Sequence, residues 1–296
     1  MRIGISAEST IDLRQEDLDK YGISTLHFHV HKGNEEGFDN QFKTADLFKF
    51  TLSTGEMCTT SACNIGELEE HFGGLLKKYD KIIHFTISSA ISSGYNNACA
   101  VANGNPNITV IDSHGTSGAI AIQAIYAREL IDNGYPYEEI VKRLIERRPY
   151  AECSFQLDRL DFLYKGGRCS KLAMIGANLL RLKPEIVCVE EENGKFNVGK
   201  KHRGNTRKCI LEYIDDTIDA HPNIDPKIVF FDYSTMDDPS ILEAAKEKCL
   251  ARGFKEVNIC QASPTNAFHA GPNVLGIHFY FDGPHPVAPY SATINK

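Results

Sequence analysis

The sequence lacks the features that define several large protein classes. No two of its nine cysteines form a Cys-x-x-Cys pair, so the usual spacing of a structural zinc site is missing. No apolar run approaches the roughly 20 residues that a membrane-spanning helix needs, and no stable membrane insertion is expected. Positive charge is not in excess either, because the formal net charge is -7. Nucleic acids and anionic membrane surfaces attract clustered positive charge, so neither is expected as the main partner.

Two standard nucleotide-binding loops are absent as well. The sequence contains neither a Gly-x-x-x-x-Gly-Lys-Ser/Thr loop nor a Gly-x-Gly-x-x-Gly fingerprint. A nucleotide bound in either of these ways is therefore not expected, and no cofactor is predicted. Residues 1–6 indicate a strand rather than a signal peptide. Because the cysteines are scattered and odd in number, we expect reduced thiols and a cytoplasmic location.

Length and composition are those of a folded α/β protein. The chain has 296 residues, about twice the usual domain length, of which 42% are hydrophobic and 24% are charged. The first half alternates strand and helix patterns, which predicts a mostly parallel sheet with helices on both faces. The second half predicts a mixed six-stranded sheet covered by helices. We therefore expect an N-terminal three-layer α/β/α domain over residues 1–150 and a C-terminal mixed α/β domain over residues 151–296.

The predicted elements follow the hydrophobic periodicity. In the first half, strands are expected at residues 2–6, 23–30, 81–87 and 107–112, and helices at 44–52, 65–79, from 92, at 119–131 and at 136–148. In the second half, strands are expected at 152–156, 185–189, 195–200, 227–232, 256–260 and 274–281, and helices at 158–164, 171–180, 205–219 and 239–252. Asn193-Gly194, between two of these strands, is a strong hairpin signal.

Three hydroxyl-rich loops of the first half stand ahead of predicted helices. They span residues 59–61, 88–95 and 113–118. In a parallel sheet such loops meet beyond the carboxyl ends of the strands, where helix N-termini and hydroxyl groups suit a small anion. The alternative is that their serines and threonines only cap the helices. Three such loops in one half favour a shared anion site without excluding capping.

A row of histidines offers a metal site as an alternative. His27, His29 and His31 share one face of the predicted second strand, and three imidazoles could hold a metal ion. No acidic ligand is interleaved, however, and a polar strand edge explains the pattern equally well. No metal site is therefore predicted.

A second alternative is a serine hydrolase that acts on a lipid or small ester. Ser117 lies in Gly115-Thr116-Ser117-Gly118-Ala119, which faintly resembles a nucleophile elbow. Asp232 and His269 could complete a triad. The fit is poor, because alanine replaces the second glycine and the serine lies several residues beyond the predicted strand.

Six motifs resemble, in their order and spacing, those of the DegV family, the fatty-acid-binding proteins of bacterial fatty acid kinase systems. They are residues 8–13 (Glu-Ser-Thr-Ile-Asp-Leu), 60–61, 88–95, 110–113, 160–168 with 182–184, and 268–273. The block that includes Gly166-Gly167-Arg168 is the most specific. The chain departs from the family pattern where Glu8 replaces Asp, where Ser93-Gly94 replaces Gly-Thr, and where Ala270 and Asn273 replace Thr and Gly.

The resemblance implies a bacterial cytoplasmic carrier, and not an enzyme, that encloses the chain of a long-chain fatty acid. The fatty acid carboxylate would be presented to the catalytic subunit of a fatty acid kinase, which forms an acyl phosphate with its own ATP and so serves phospholipid synthesis. No residue of this chain would be catalytic. The ligand-binding residues carried over from the motifs are Thr60, Ser61, Ser92, Ser93, Gly167, Arg168 and His269.

Two further expectations concern the acyl chain and the kinase. Apolar residues of the second half are candidates to line the acyl cavity, although most of them could be ordinary core: Phe155, Phe162, Leu163, Ile175, Leu179 and Leu180. The basic stretch at residues 200–208 could dock an acidic kinase surface, but a solvated hairpin edge explains it as well.

Overall fold

A computed structural model describes residues 1–169 and 182–291, and the elements below belong to this part of the chain. The strands are β1 (Ile3–Glu8), β2 (Ile23–Leu26), β3 (His29–Lys32), β4 (Glu35–Phe38), β5 (Thr59–Ser61), β6 (Lys81–Thr86), β7 (Ile108–Asp112), β8 (Ser154–Gln156), β9 (Leu182–Val189), β10 (Lys195–Arg203), β11 (Val229–Tyr233), β12 (Val257–Gln261) and β13 (Leu275–His278). The α-helices are α1 (Gln15–Tyr21), α2 (Thr44–Thr54), α3 (Ile65–Leu76), α4 (Gly94–Ala102), α5 (Gly118–Asp132), α6 (Tyr137–Arg147), α7 (Asp161–Lys165), α8 (Thr206–Ala220), α9 (Ser240–Ala251) and α10 (Pro264–Ala270).

The first half builds a four-stranded parallel sheet in the order β2-β1-β6-β7. All six residues of β1 are buried, as expected for a central parallel strand with both faces covered. Neighbouring residues of β6 point to opposite faces: Ile82 packs with α3 and α4, and Ile83 packs with α5 and α6. The predicted parallel sheet with helices on both faces is confirmed.

The second half builds a six-stranded mixed sheet in the order β10-β9-β8-β13-β11-β12. All six predicted strands of this half belong to it, and only the β11–β12 pair is parallel. The hairpin predicted at Asn193-Gly194 is confirmed, since both residues have positive φ, 55° and 76°, between the antiparallel strands β9 and β10.

Helix α5 lies between the two sheets. It packs against the parallel sheet, and it also contacts β11 and β13 of the mixed sheet, where Phe230 joins the same core cluster. Helices α8 and α9 cover the opposite face of the mixed sheet. The division into domains 1–150 and 151–296 stays a prediction, because α5 takes part in packing on both sides of that boundary.

The predicted second strand at residues 23–30 is wrong as a single element. The chain leaves the parallel sheet after β2, and β3 belongs to a separate antiparallel sheet with the order β4-β3-β5. Phe28 marks the break: its backbone N–H donates to Ser9 Oγ at 3.2 Å, and its carbonyl accepts the N–H of Asp39 at 2.8 Å. These bonds replace the ladder bonds that would have continued β2.

Short elements also differ from the sequence expectation. Residues 59–61 were expected as a loop but form β5, in which Thr60 lies opposite Val30 of β3. Helices α1 and α10, each of seven residues, were not predicted. The predicted helix at 158–164 begins only at Asp161, and the one predicted at 171–180 lies outside the described residues. None of the described helices is both long enough and apolar enough to cross a membrane.

Candidate functional site

A cavity of about 270 Å³ lies where the hydroxyl-rich loops of the first half meet α7, α10 and the mixed sheet. Six of the seven predicted ligand-binding residues lie on its wall: Thr60, Ser61, Ser92, Ser93, Arg168 and His269. Gly167 does not line the cavity. It has a φ of 74° in the turn that follows α7, and so it shapes the backbone that leads into Arg168.

A large part of the cavity wall is apolar. Two of the predicted lining residues, Phe155 and Leu163, lie on this wall together with Phe28, Ile87, Ile91, Phe196 and Val274. The prediction for Phe162 is wrong: its ring is 1% exposed and packs edge-on against Phe48 and Phe268 in a separate core cluster. Ile175, Leu179 and Leu180 lie outside the described residues.

His269 links the second half of the chain to the hydroxyl-rich loops. It lies in the last turn of α10, and its Nε2 is 2.7 Å from Oγ1 of Thr60 on β5. Its other ring nitrogen, Nδ1, is buried without a hydrogen-bond partner. Burial, with a contribution from the positive charge of Arg168, lowers the pKa of His269 to about 3. The imidazole is therefore neutral near pH 7, with one nitrogen unengaged.

Arg168 supplies positive charge to the same wall. Its guanidinium is half-buried, and its Nη1 donates to the carbonyl oxygen of Gly166 at 2.5 Å. Burial lowers the pKa of Arg168, although a guanidinium stays protonated in proteins. No carboxylate within residues 1–169 and 182–291 forms an ion pair with it. Because a half-buried cation without a counterion attracts an anion, this position suits a carboxylate.

The serines at the start of α4 leave hydroxyl capacity for a ligand. Ser92 Oγ accepts the backbone N–H of Gly94 at 3.2 Å, which leaves its own proton free to donate. Ser93 is the N-cap residue of α4 but makes no capping bond with its side chain. Asn64, and not the hydroxyl run before it, caps α3. The capping explanation therefore does not account for Ser93 or for Thr60 and Ser61.

A buried pair of titratable residues, Asp232 and His278, closes another part of the wall. His278 Nε2 lies 3.3 Å from Asp232 Oδ2, and the same oxygen accepts the N–H of Gly118 at 2.8 Å. Burial raises the pKa of Asp232 to about 7. Burial also opposes the charged form of His278, but the contacts with Cys153 and Asp232 outweigh it and raise the pKa to about 9.

Sequence reasoning missed His278 as a cavity residue. The histidine lies in an otherwise apolar strand, where the pattern predicts only core. Asp232 lies near the carboxyl end of β11, which is the place where α/β proteins gather ligand-binding groups, so its position carried a usable signal.

Ser117, Asp232 and His269 do not form the catalytic triad of a serine hydrolase. Ser117 donates its hydroxyl hydrogen bond to Asp12 and accepts one from the side-chain amide of Asn266 at 3.1 Å. Asp232 pairs with His278, whereas His269 pairs with Thr60. Because the three residues have separate partners, no histidine is placed to take a proton from Ser117.

His27, His29 and His31 also have separate partners. No group of three or more His, Cys, Asp or Glu side chains in the described residues could hold a metal ion. The imidazoles each face a different carboxylate: His27 with Asp39 at 2.9 Å, His29 with Glu67 at 2.8 Å and His31 with Glu36 at 3.7 Å.

The fold and the sequence together identify the chain as a member of the DegV family. The model of that family, described as an uncharacterised protein family named DegV, matches residues 2–282, and the chain belongs to it. Within the family, the chain is similar to a fatty acid-binding protein of Thermotoga maritima, with 29% identity over 222 residues that cover 73% of this chain and 76% of that protein.

Solved structures agree with this assignment. A DegV family protein from Thermus thermophilus, described for its fatty acid binding, is 25% identical with a TM-score of 0.84, and the match covers 95% of this chain and 100% of that one. The fatty acid kinase B3 protein of Streptococcus pneumoniae, loaded with linoleic acid, is 18% identical with a TM-score of 0.80, and the match covers 95% and 100%. The latter likeness concerns the fold alone.

Proposed function

We propose that the protein binds a long-chain fatty acid, with the acyl chain enclosed in the cavity and the carboxylate at its hydroxyl-rich side. The observation that carries the proposal is the gathering of Thr60, Ser92, Arg168 and His269 around one cavity whose lining also includes the apolar side chains of Phe28, Phe155, Leu163 and Phe196. These residues are far apart in the sequence. The relatives from Thermotoga maritima and Thermus thermophilus, both described as binding fatty acids, support it.

The head-group side offers what a carboxylate needs. An enclosed carboxylate costs several kcal/mol unless donors replace its water. Arg168 supplies charge, and the hydroxyls of Ser92 and Ser93 supply donors that the protein does not otherwise use. His269 is held against the hydroxyl of Thr60 by a hydrogen bond at Nε2, and both residues line the cavity. We infer that these groups jointly bind the carboxylate.

The acyl chain supplies most of the affinity. Each buried methylene contributes about 0.8 kcal/mol, so a sixteen-carbon chain provides on the order of 10 kcal/mol before the costs of binding. The rings of Phe28, Phe155 and Phe196 and the side chain of Leu163 form apolar surface of the required kind. Binding should therefore weaken steeply as the acyl chain is shortened.

The second part of the proposal is presentation to a kinase. The protein would hold the carboxylate while a separate kinase subunit transfers a phosphoryl group from ATP to it, giving an acyl phosphate and ADP. The Streptococcus pneumoniae neighbour is named a fatty acid kinase B3 protein, and this name is what suggests the role. The basic stretch at 200–208 does not add to it, because Lys200 pairs with Asp216 and Lys208 with Glu212 of the adjacent α8.

Two measurements test the proposal. Mass spectrometry of an organic extract from freshly purified protein should find a long-chain fatty acid in near-stoichiometric amount. In titrations with palmitate, His269→Ala should weaken binding, whereas the control His285→Ala, at an exposed histidine paired with Asp282, should not. An empty extract together with no measurable palmitate binding would contradict the proposal. Turnover of generic esters would instead favour a hydrolase.

A further inference from the structure

Two cysteines face each other across adjacent strands of the mixed sheet. The antiparallel register of β8 and β9 pairs Ser154 with Val187, which places Cys153 directly opposite Cys188. The backbone N–H of Cys188 donates to the carbonyl of Cys153 at 2.9 Å, and the two sulfur atoms are also 2.9 Å apart. Hydrogen-bonded partners of antiparallel strands have Cα atoms about 5.5 Å apart, which lies within the range that a disulfide requires.

The surroundings of Cys153 favour its thiolate. Burial opposes ionisation, but hydrogen bonds from Cys188 and from His278 outweigh it and lower the pKa of Cys153 to about 6. Burial and the neighbouring sulfur raise the pKa of Cys188 well above its ordinary value, so that Cys188 stays a thiol and donates to Cys153. A thiolate beside a protonated imidazole is the arrangement found at reactive cysteines.

The pair also has access from outside the fatty acid cavity. A second cavity of about 330 Å³ is lined by both cysteines and by His114, Arg148 and Glu190, and it shares no lining residue with the first. Cys188 is half-buried and Cys153 is 6% exposed. A small molecule in this cavity can therefore reach the sulfur atoms without displacing an acyl chain.

We propose that Cys153 and Cys188 form a redox-active dithiol, which a hydroperoxide entering through the second cavity oxidises to a disulfide. The Cys153 thiolate attacks one peroxide oxygen, the O–O bond breaks, and Cys153 becomes a sulfenic acid while the leaving alkoxide or hydroxide takes a proton from solvent. The Cys188 thiol then attacks the sulfenic sulfur, and an S–S bond forms as water leaves. The net reaction converts two thiols and one hydroperoxide to a disulfide, one alcohol (or water) and one water.

Formation of the disulfide between Cys153 and Cys188 needs little movement. The two sulfur atoms must approach from 2.9 Å to the length of a disulfide bond, about 2.05 Å, which side-chain rotation can supply. The two strands keep their register, so the fold of the mixed sheet is retained. Neither cysteine lines the first cavity, so dithiol oxidation and fatty acid binding can be measured separately.

The experiment treats the reduced full-length protein with one equivalent of hydrogen peroxide at pH 7 and then alkylates the remaining thiols. Peptide mapping should find residues 153 and 188 joined by a disulfide, with two thiols lost per peroxide. Cys99, which like Cys188 is half-buried, serves as the internal reference, and Cys153 should react on the order of tenfold faster or more.

Two variants separate the roles of the sulfur atoms. Cys188→Ser should stop the reaction at a sulfenic acid on Cys153, which a dione probe traps, and Cys153→Ser should leave Cys188 no faster than Cys99. Circular dichroism checks that both variants fold, and the mapping of the wild-type protein does not depend on them. If peroxide oxidises the cysteines without preference, or if Cys153 and Cys188 are both recovered as thiols, the proposal is wrong.

Discussion

The carboxyl group of Glu8 occupies the space that a side chain at Gly94 would need. A Cβ atom at position 94 would overlap Oε1 of Glu8, and Oε2 of the same carboxyl group accepts the N–H of Ile87 at 2.8 Å. Glu8 and Gly94 are two of the positions at which this chain departs from the DegV motifs, where Asp and Thr are expected. The longer acid at position 8 and the missing side chain at position 94 therefore compensate for each other beside the predicted head-group serines.

This compensation predicts a strong coupling between the two positions. Gly94→Ala should destabilise the protein by roughly 1 to 3 kcal/mol, because the added methyl group displaces the buried carboxyl group. In the Glu8→Asp background the same substitution should cost clearly less. Chemical unfolding of the wild type, both single variants and the double variant gives the coupling free energy, and we expect at least about 0.5 kcal/mol. Additive effects would contradict the proposed compensation.

The raised pKa of Glu8 also predicts that the protein loses stability at alkaline pH. Burial raises the pKa of Glu8 from 4.5 to about 8, despite the hydrogen bond from Ile87. The folded state therefore binds more protons than the unfolded state between these values, so the contribution of Glu8 to stability is full below pH 4.5 and is lost as the pH rises through 8. Glu8→Gln cannot ionise. Its free energy of unfolding should fall less than that of the wild type between pH 5 and pH 9.

An exposed acid provides the control for that measurement. Glu16→Gln replaces a surface carboxylate that pairs with Arg14, and its stability curve should run parallel to that of the wild type. If the curves of Glu8→Gln and the wild type are also parallel, Glu8 is ionised in the folded protein and the assignment fails.

Arg168 should contribute to the binding of the fatty acid carboxylate and not to the stability of the fold. Arg168→Gln removes a half-buried charge that has no carboxylate partner among the described residues, so stability should hold or rise. Palmitate affinity should fall by roughly 1.5 to 3 kcal/mol, as for other hydrogen bonds to charged groups. Arg159→Gln is the matched control, since Arg159 is paired with Asp161 and does not line the cavity. Equal affinities of the two variants would remove Arg168 from the head-group site.

The hydroxyl of Ser92 should contribute to binding on its own. Ser92→Ala should weaken palmitate binding by roughly 1 to 2 kcal/mol if the hydroxyl donates to the carboxylate. Ser89→Ala serves as the comparison: it lies in the same loop, but only its backbone N–H is engaged, with Asp112, and it does not line the cavity. A crystal structure with palmitate in which Ser92 points away from the carboxylate would refute this role.

The two sheets could be predicted because their strands are strongly periodic. The hydrophobic pattern of the second half predicted all six strands. Asn193-Gly194 predicted one hairpin, because only a few residue pairs accept positive φ at both positions. The head-group residues came from the family resemblance. The family motifs include residues that are far apart in the sequence, such as Thr60 and His269, and no local pattern predicts that such residues lie close together.

Other parts depend on long-range contacts that local patterns do not contain. The strand break at Phe28 arises from backbone bonds to Ser9 and Asp39, and β5 has only three residues, none of them apolar. Helix α10 is too short to show a period. His278 was missed for a similar reason, because its partners, Asp232 on β11 and Cys153 just before β8, come from other parts of the chain.

The contact between Thr60 and His269 joins residues that are 209 positions apart. The amide of Asn266 on the same helix bonds to Asp12, and the hydroxyl of Thr265 bonds to Asp39, so α10 is fastened to the N-terminal part of the chain. A nascent polypeptide therefore has no complete head-group site before α10 has left the ribosome. On the proposed function, a product truncated before α10 should be unable to bind palmitate.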